Sequence, residues 1–120
     1  MALALALIAS VVLSVTPKHG TPYSTYVISF KAPYATSKAA GTDYGIGAVN
    51  SGDCKRGVSS FGKIQYGPYK KGQPVRFKIR FPHVGLCVGV FHGVVKYQHK
   101  EGDRILDKRL GRFGFRVLSH

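Results

Sequence analysis

The sequence predicts an all-β protein built as a single antiparallel sandwich. Hydrophobic and polar side chains alternate with a period of two residues over several segments, the pattern of strands with one buried face. Turn-forming Gly, Pro, Asn and Asp residues separate these segments, and no stretch shows an apolar stripe at helical spacing. We therefore expect one immunoglobulin-like or related domain with roughly six to eight short strands.

The clearest predicted strand is 75–81, where odd positions are apolar and even positions are basic. The two faces are Val75, Phe77, Ile79 and Phe81 against Arg76, Lys78 and Arg80. Segment 26–31 alternates in the same way, as does 112–117 with Phe113, Phe115 and Val117 facing inward. Segment 86–97 is largely apolar on both faces, which predicts a strand in the middle of a sheet. Weaker strands are expected at 44–49 and 58–66.

The first 15 residues form an apolar leader, and the first basic residue is Lys18. The apolar run from Ala2 to Val15 has the length of a signal-peptide core and is too short to cross a bilayer as a helix. Cleavage fits after Ser14, so we expect a secreted domain at 16–120 that is not an integral membrane protein. Because no basic residue precedes the run, two alternatives stay open: a start upstream of Met1, or an N-terminal core strand.

Cys54 and Cys87 are the only cysteines. In an exported protein an even number of cysteines predicts a disulfide, here a single one. A metal pair or a catalytic thiol is the alternative, but the spacing matches no zinc motif and Cys87 falls in a predicted strand. We expect neither a metal nor a cofactor.

Positive charge dominates the surface chemistry. The chain has 18 Lys and Arg against 5 Asp and Glu, a net charge of +13. Solubility of a small domain accounts for a magnitude of only about 2 to 8. The excess predicts an anionic partner. For an exported protein this partner is an acidic protein subunit or an anionic cell-envelope polymer, and not intracellular nucleic acid.

A Tyr/Lys segment in the connection after the 58–66 strand is the best candidate for a contact surface. Tyr66 and Tyr69 flank Gly67-Pro68 and are followed by Lys70 and Lys71. We expect both tyrosines to be exposed, because tyrosine suits protein interfaces. The predicted binding residues are Tyr66, Tyr69, Lys70, Lys71, Arg76, Lys78 and Arg80.

Catalysis is not expected. Five histidines allow an alternative in which His83 and His92 cleave RNA by acid and base catalysis. However, a lone His on an apolar strand face, as at His92, is more often a core residue. The few acids do not suit sugar hydrolysis, and the sequence has no G-x-S-x-G, H-E-x-x-H or phosphate-binding loop motif.

The run 110–117 (LGRFGFRV) resembles the final strand of small secreted actinobacterial β-sandwich proteins. The resemblance implies a secreted sandwich. In size and class the chain is also similar to the adaptor subunits of Streptomyces umbrella-toxin particles. We expect a non-catalytic adaptor that docks through a basic, Tyr-rich surface, for example within a secreted toxin-like complex. The alternatives are a free-standing cationic antimicrobial or toxin and a secreted RNase-like enzyme.

Overall fold

The computed structural model describes residues 11–119, and in this range the chain forms strands and no helix. The strands are β1 (Ser14–Thr16), β2 (His19–Gly20), β3 (Tyr26–Lys31), β4 (Thr42–Asn50), β5 (Ser60–Gln65), β6 (Pro74–Ile79), β7 (Gly89–Glu101) and β8 (Arg104–Val117). The all-β prediction is confirmed.

The strands divide into two sheets. One has the order β1-β3-β6 and the other the order β2-β8-β7-β4-β5. All neighbours are antiparallel except β2 and β8, which pair in parallel. Because β1 and β2 lie in different sheets, the chain crosses between them at Pro17 and Lys18. This division of strands between two sheets confirms the predicted sandwich.

The core lies between the inward faces of the two sheets. Its buried side chains include Tyr26, Ile28, Phe30, Tyr44, Ile46, Val75, Phe77, Ile79, Phe91, Val95, Phe113, Phe115 and Val117. At its centre the Phe115 ring packs against Tyr26 and Phe91, with centroids 4.4 and 5.0 Å apart. The inward faces predicted for β3, β6 and the end of β8 are therefore confirmed.

The β7–β8 hairpin differs from the prediction in extent. β7 is central, as expected, but begins at Gly89 instead of Leu86, and its outer face is open because His92 is exposed. β8 begins at Arg104, well before the predicted residue 112, and the hairpin turns at Gly102 (φ 59°). Residues 104–109 are all exposed, so buried and exposed side chains do not alternate here. This part of β8 is held as a strand by backbone pairing with β7.

The end of the predicted leader is part of the sandwich. Val15 is buried, with 8% of its surface exposed, and it pairs with Ile28 of β3. Val11 donates a backbone hydrogen bond to Leu110 (3.2 Å). The rest of the predicted leader, residues 1–10, lies outside the described residues. The predicted cleavage after Ser14 would fall within β1 (Ser14–Thr16) and stays a prediction.

The predicted disulfide between Cys54 and Cys87 is confirmed. The two Cα atoms are 5.9 Å apart, inside the usual range for disulfides. Cys54 lies in the β4–β5 connection and Cys87 directly before β7. Beside the bond, the Cys87 amide donates to the Val58 carbonyl (3.0 Å). The disulfide therefore joins two long connections at one end of the sandwich.

Candidate binding surfaces

The outer face of the three-stranded sheet is basic. Arg76 and Lys78 of β6 are exposed and lie opposite Ser29 and Val27 of β3. Lys31 at the end of β3 and Arg80 just after β6 are also exposed. None of β1, β3 and β6 contains an acidic residue. We call Lys31, Arg76, Lys78 and Arg80 the basic face.

The β5–β6 connection extends the basic face. Backbone hydrogen bonds from Gly72 to the Ala32 carbonyl (2.7 Å) and from Ala32 to the Gln73 carbonyl (2.8 Å) tie this connection to the end of β3. Lys70 and Lys71 are exposed beside this junction. The structure thus brings most of the sequence-predicted binding residues to one side of the molecule.

Tyr69 differs from the expectation of an exposed contact residue, because it is half-buried. Its ring packs 6.0 Å from Tyr44, and its hydroxyl donates to Gln65 Oε1. Its amide and carbonyl pair with those of Thr36 at 3.2 and 3.0 Å. Burial raises the pKa of Tyr69. Tyr69 therefore anchors the connection, while Tyr66 is exposed (44%), as predicted.

The surface is also less rich in tyrosine than expected. Tyr26 and Tyr44 are buried, and Tyr34 and Tyr97 pack against the core. The Lys108 ammonium lies 5.1 Å from the centroid of the Tyr34 ring. Among the tyrosines, Tyr66 and Tyr23 have exposed rings. Contacts made by the basic face therefore depend mainly on Lys and Arg.

A trough lies on the opposite side of the molecule, on the outer face of the five-stranded sheet. It encloses about 850 Å³, and an adjoining depression encloses about 480 Å³. Gly47 of β4 and Gly62 of β5 lie opposite each other in its floor, next to Val94 of β7. Val49 and Ile64 are 57% and 54% exposed beside them. The trough therefore has a floor of backbone and aliphatic side chains.

The fold itself does not require glycine at the centre of the trough. A Cβ atom added to Gly47 would come no closer than 3.8 Å to another atom, and one added to Gly62 no closer than 3.5 Å. Neither residue has a positive φ. Glycine weakens a strand interior and often marks a site where a ligand or another backbone approaches closely. The missing side chains are what opens the trough.

One edge of the trough is cationic. His92, Arg109 and Arg112 line it. Nearby, Lys96 and Asp107 form the one ion pair within residues 11–119, at 3.4 Å. Hydrogen bonds from Gln98 (3.0 Å) and Lys96 lower the pKa of Asp107. Burial, together with the Asp107 charge, raises the pKa of Asp43. Asp107 pairs with Lys96, and within residues 11–119 neither Arg109 nor Arg112 forms an ion pair.

His92 differs from the expectation of a core residue, and His83 lies in a different part of the fold. His92 is exposed in the trough and is not in the core, because the outer face of β7 is open. His83 is exposed in the turn after β6, which belongs to the other sheet. In the part of the chain that the structure describes, no three His, Cys, Asp or Glu side chains are grouped to hold a metal ion.

The trough was not predicted from the sequence. A signal was present in β4, where Gly45 and Gly47 alternate with buried residues. A second signal was Gly62 in a strand whose neighbours are large. What the sequence does not contain is the register that sets Gly62 opposite Gly47.

No protein-family model matches the chain, and no curated protein or solved structure shows significant similarity to it. Over residues 11–119 the structure has no helix with the length and apolar character needed to cross a membrane.

Proposed function

We propose that this protein is a secreted, non-catalytic binding protein whose basic face docks onto an acidic protein partner. The observation that carries the proposal is a sheet face with Lys31, Arg76, Lys78 and Arg80 and no acidic residue in its strands. An anionic cell-envelope polymer is the competing partner, and the experiment below separates the two.

The charge balance supports recognition of an anion. Five acids oppose 18 Lys and Arg in the whole chain, and among residues 11–119 one acid forms an ion pair. Like charges gathered on one face repel each other and reduce the stability of the folded state. An acidic partner removes this repulsion when it binds. The positive field also accelerates encounter with such a partner.

The geometry of β6 favours carboxylate groups as ligands. Arg76 and Lys78 are two residues apart in β6, so their side chains leave the same face about 7 Å apart, and Arg80 follows directly after the strand. The arginine guanidinium can bind a carboxylate through two parallel hydrogen bonds, which adds geometric selectivity to charge attraction. A row of carboxylates on an acidic protein matches this arrangement.

Export is part of the proposal. The apolar start of the chain and the disulfide between Cys54 and Cys87 support a protein that works outside the cytoplasm. An adaptor subunit of a secreted toxin-like complex fits this compartment and a binding role. Intact mass spectrometry of the protein secreted by its own host identifies the first residue and the proteins that elute with it.

The test compares two double charge reversals of the full chain. Arg76→Glu/Lys78→Glu changes the basic face, whereas Lys55→Glu/Lys100→Glu changes the net charge equally at exposed positions elsewhere. The probes are poly-L-glutamate, representing an acidic protein, and purified teichoic acid. We expect wild type to bind poly-L-glutamate more weakly as salt increases, and the first variant to lose affinity roughly tenfold or more.

The control variant should keep most of the affinity for poly-L-glutamate. Equal losses in both variants would show that net charge alone drives binding, and would overturn the proposed site. Binding to teichoic acid in clear preference to poly-L-glutamate would replace the acidic protein by the envelope polymer as partner.

A further inference from the structure

We propose that the trough on the five-stranded sheet is a second docking site, which binds an extended segment of an acidic partner protein that also carries aliphatic side chains. The inference rests on the proposed function for the acidity of the partner. It concerns the opposite face of the sandwich, so the two sites can be tested separately.

The floor of the trough admits the backbone of a bound segment. Gly47 and Gly62 leave the sheet surface bare at adjacent positions of β4 and β5. A side chain at either position has room, since the nearest atoms to an added Cβ are 3.8 and 3.5 Å away. Valine or threonine would strengthen these strands. Glycine at both positions therefore favours the approach of another chain more than it favours the stability of the sheet.

The length of the trough matches a short extended segment. The trough and the adjoining depression follow one another along β4, from Val49 past Gly47 to Gly45. Four residues of a strand cover about 13 Å. A bound segment therefore places about four extended residues over the floor.

Apolar contact is available at both ends of this floor. Val49 and Ile64 are more than half exposed, and Val94 of β7 lies opposite Gly47. Burial of apolar surface yields about 25 cal/mol per Å² removed from water, before the costs of association. Aliphatic side chains of the partner fill the space that the missing glycine side chains leave.

The charges at the edge specify the acidic part of the segment. Arg109 and Arg112 line the β8 side, while Asp107 is already engaged by Lys96 and Gln98. Carboxylates on the partner segment can pair with the two guanidinium groups. A second copy of this chain is disfavoured, because a chain with 18 Lys and Arg and only 5 Asp and Glu offers few carboxylates to pair with Arg109 and Arg112.

The test uses the full chain and a short synthetic peptide of alternating Glu and Val residues, followed by NMR chemical shifts of the backbone amides. We expect saturable shifts at Gly47, Gly62 and Val94. Gly47→Val should keep or increase the stability of the fold while weakening peptide affinity about tenfold or more. Gly47→Ala should have a smaller effect, and Arg112→Gln should weaken binding without filling the trough.

Controls separate this site from the basic face. Arg76→Glu/Lys78→Glu should leave the shifts in the trough unchanged, and a peptide with Lys in place of Glu should produce none. The inference is wrong if Gly47→Val binds the Glu/Val peptide like wild type, or if the shifts occur only at the basic face. Concentration-dependent dimerisation that Gly47→Val abolishes would also overturn it, in favour of a second copy.

Discussion

Tyr44 lies fully buried between the sheets, and its hydroxyl group both donates and accepts a hydrogen bond. It donates to the Tyr34 carbonyl at 2.6 Å and accepts from the Tyr34 amide at 3.0 Å. Both backbone groups belong to the connection between β3 and β4, so a core side chain fixes a surface segment. Burial raises the pKa of Tyr44 to about 12 from the ordinary value of 10.0.

This pKa predicts a loss of stability at alkaline pH. In the unfolded chain the Tyr44 hydroxyl ionises near pH 10, and in the folded protein near pH 12. Its contribution is complete below pH 10 and is lost as the pH rises towards 12, because the unfolded state releases the proton first. We expect the free energy of unfolding in urea to fall by about 2 kcal/mol over this interval from Tyr44.

The variant Tyr44→Phe tests this assignment. It should be less stable at neutral pH by about 1 to 3 kcal/mol, since the amide and carbonyl of Tyr34 lose their partner. Its stability should then decline less steeply between pH 10 and 12. The exposed Tyr66→Phe serves as the control and should keep the wild-type slope, and an unchanged slope in Tyr44→Phe would refute the assignment.

Among the elements, β5 and β6 are edge strands of different sheets that side chains link directly. The Lys63 ammonium donates to the Lys78 carbonyl and the Gln65 amide donates to the Arg76 carbonyl, both at 2.9 Å. These contacts occupy carbonyls of β6 that its partner β3 leaves free. An unprotected strand edge invites pairing with other chains. The two side chains therefore close one side of the sandwich and protect its edge.

Gln65→Ala should lower the free energy of unfolding by about 1 kcal/mol, because it removes the hydrogen bonds of Gln65 with Arg76 and Tyr69. The measurement is urea unfolding of the purified chain. Lys55→Ala, a substitution at an exposed position outside this contact, should change stability by no more than about 0.5 kcal/mol. Equal stability of Gln65→Ala and wild type would mean that the two contacts do not hold the sheets together.

Predictability also differs between elements. The alternating faces of β6 and of the second half of β8 were predicted, because one face of each packs into the core and the other meets water. The predicted strand 75–81 extends two residues beyond the end of β6 at Ile79. The first half of β8 was missed, because both of its faces are exposed and nothing in its local pattern marks a strand. The half-burial of Tyr69 was missed because it depends on Tyr44 and Thr36, which come from other parts of the chain.

For the molecule as a whole, two faces with different chemistry lie on opposite sides of one core. The basic face offers charge alone, and the trough combines charge with apolar surface. A sandwich keeps both faces in a fixed relation, because the buried side chains of the two sheets interdigitate. The two proposed sites therefore face in opposite directions.

The disulfide should contribute a large part of the stability of the whole domain. Cys54 and Cys87 are 33 residues apart, and closing such a loop constrains the unfolded chain by roughly 3 to 4 kcal/mol. We expect Cys54→Ala/Cys87→Ala to lower the free energy of unfolding by about this amount. A reductant should lower wild type to the level of the variant and leave the variant unchanged. A wild type that is fully reduced without loss of stability would contradict this expectation.

The sequence by itself determined the all-β class, the inward faces of β3 and β6, the cysteine pairing and the excess of positive charge. These properties follow from residue type and from side-chain alternation, which act within a few neighbouring residues. Only the tertiary structure decided which strands are neighbours, that Tyr69 is half-buried, and that Gly47 lies opposite Gly62. These depend on the register between segments far apart in the chain, which the packing of the whole core selects.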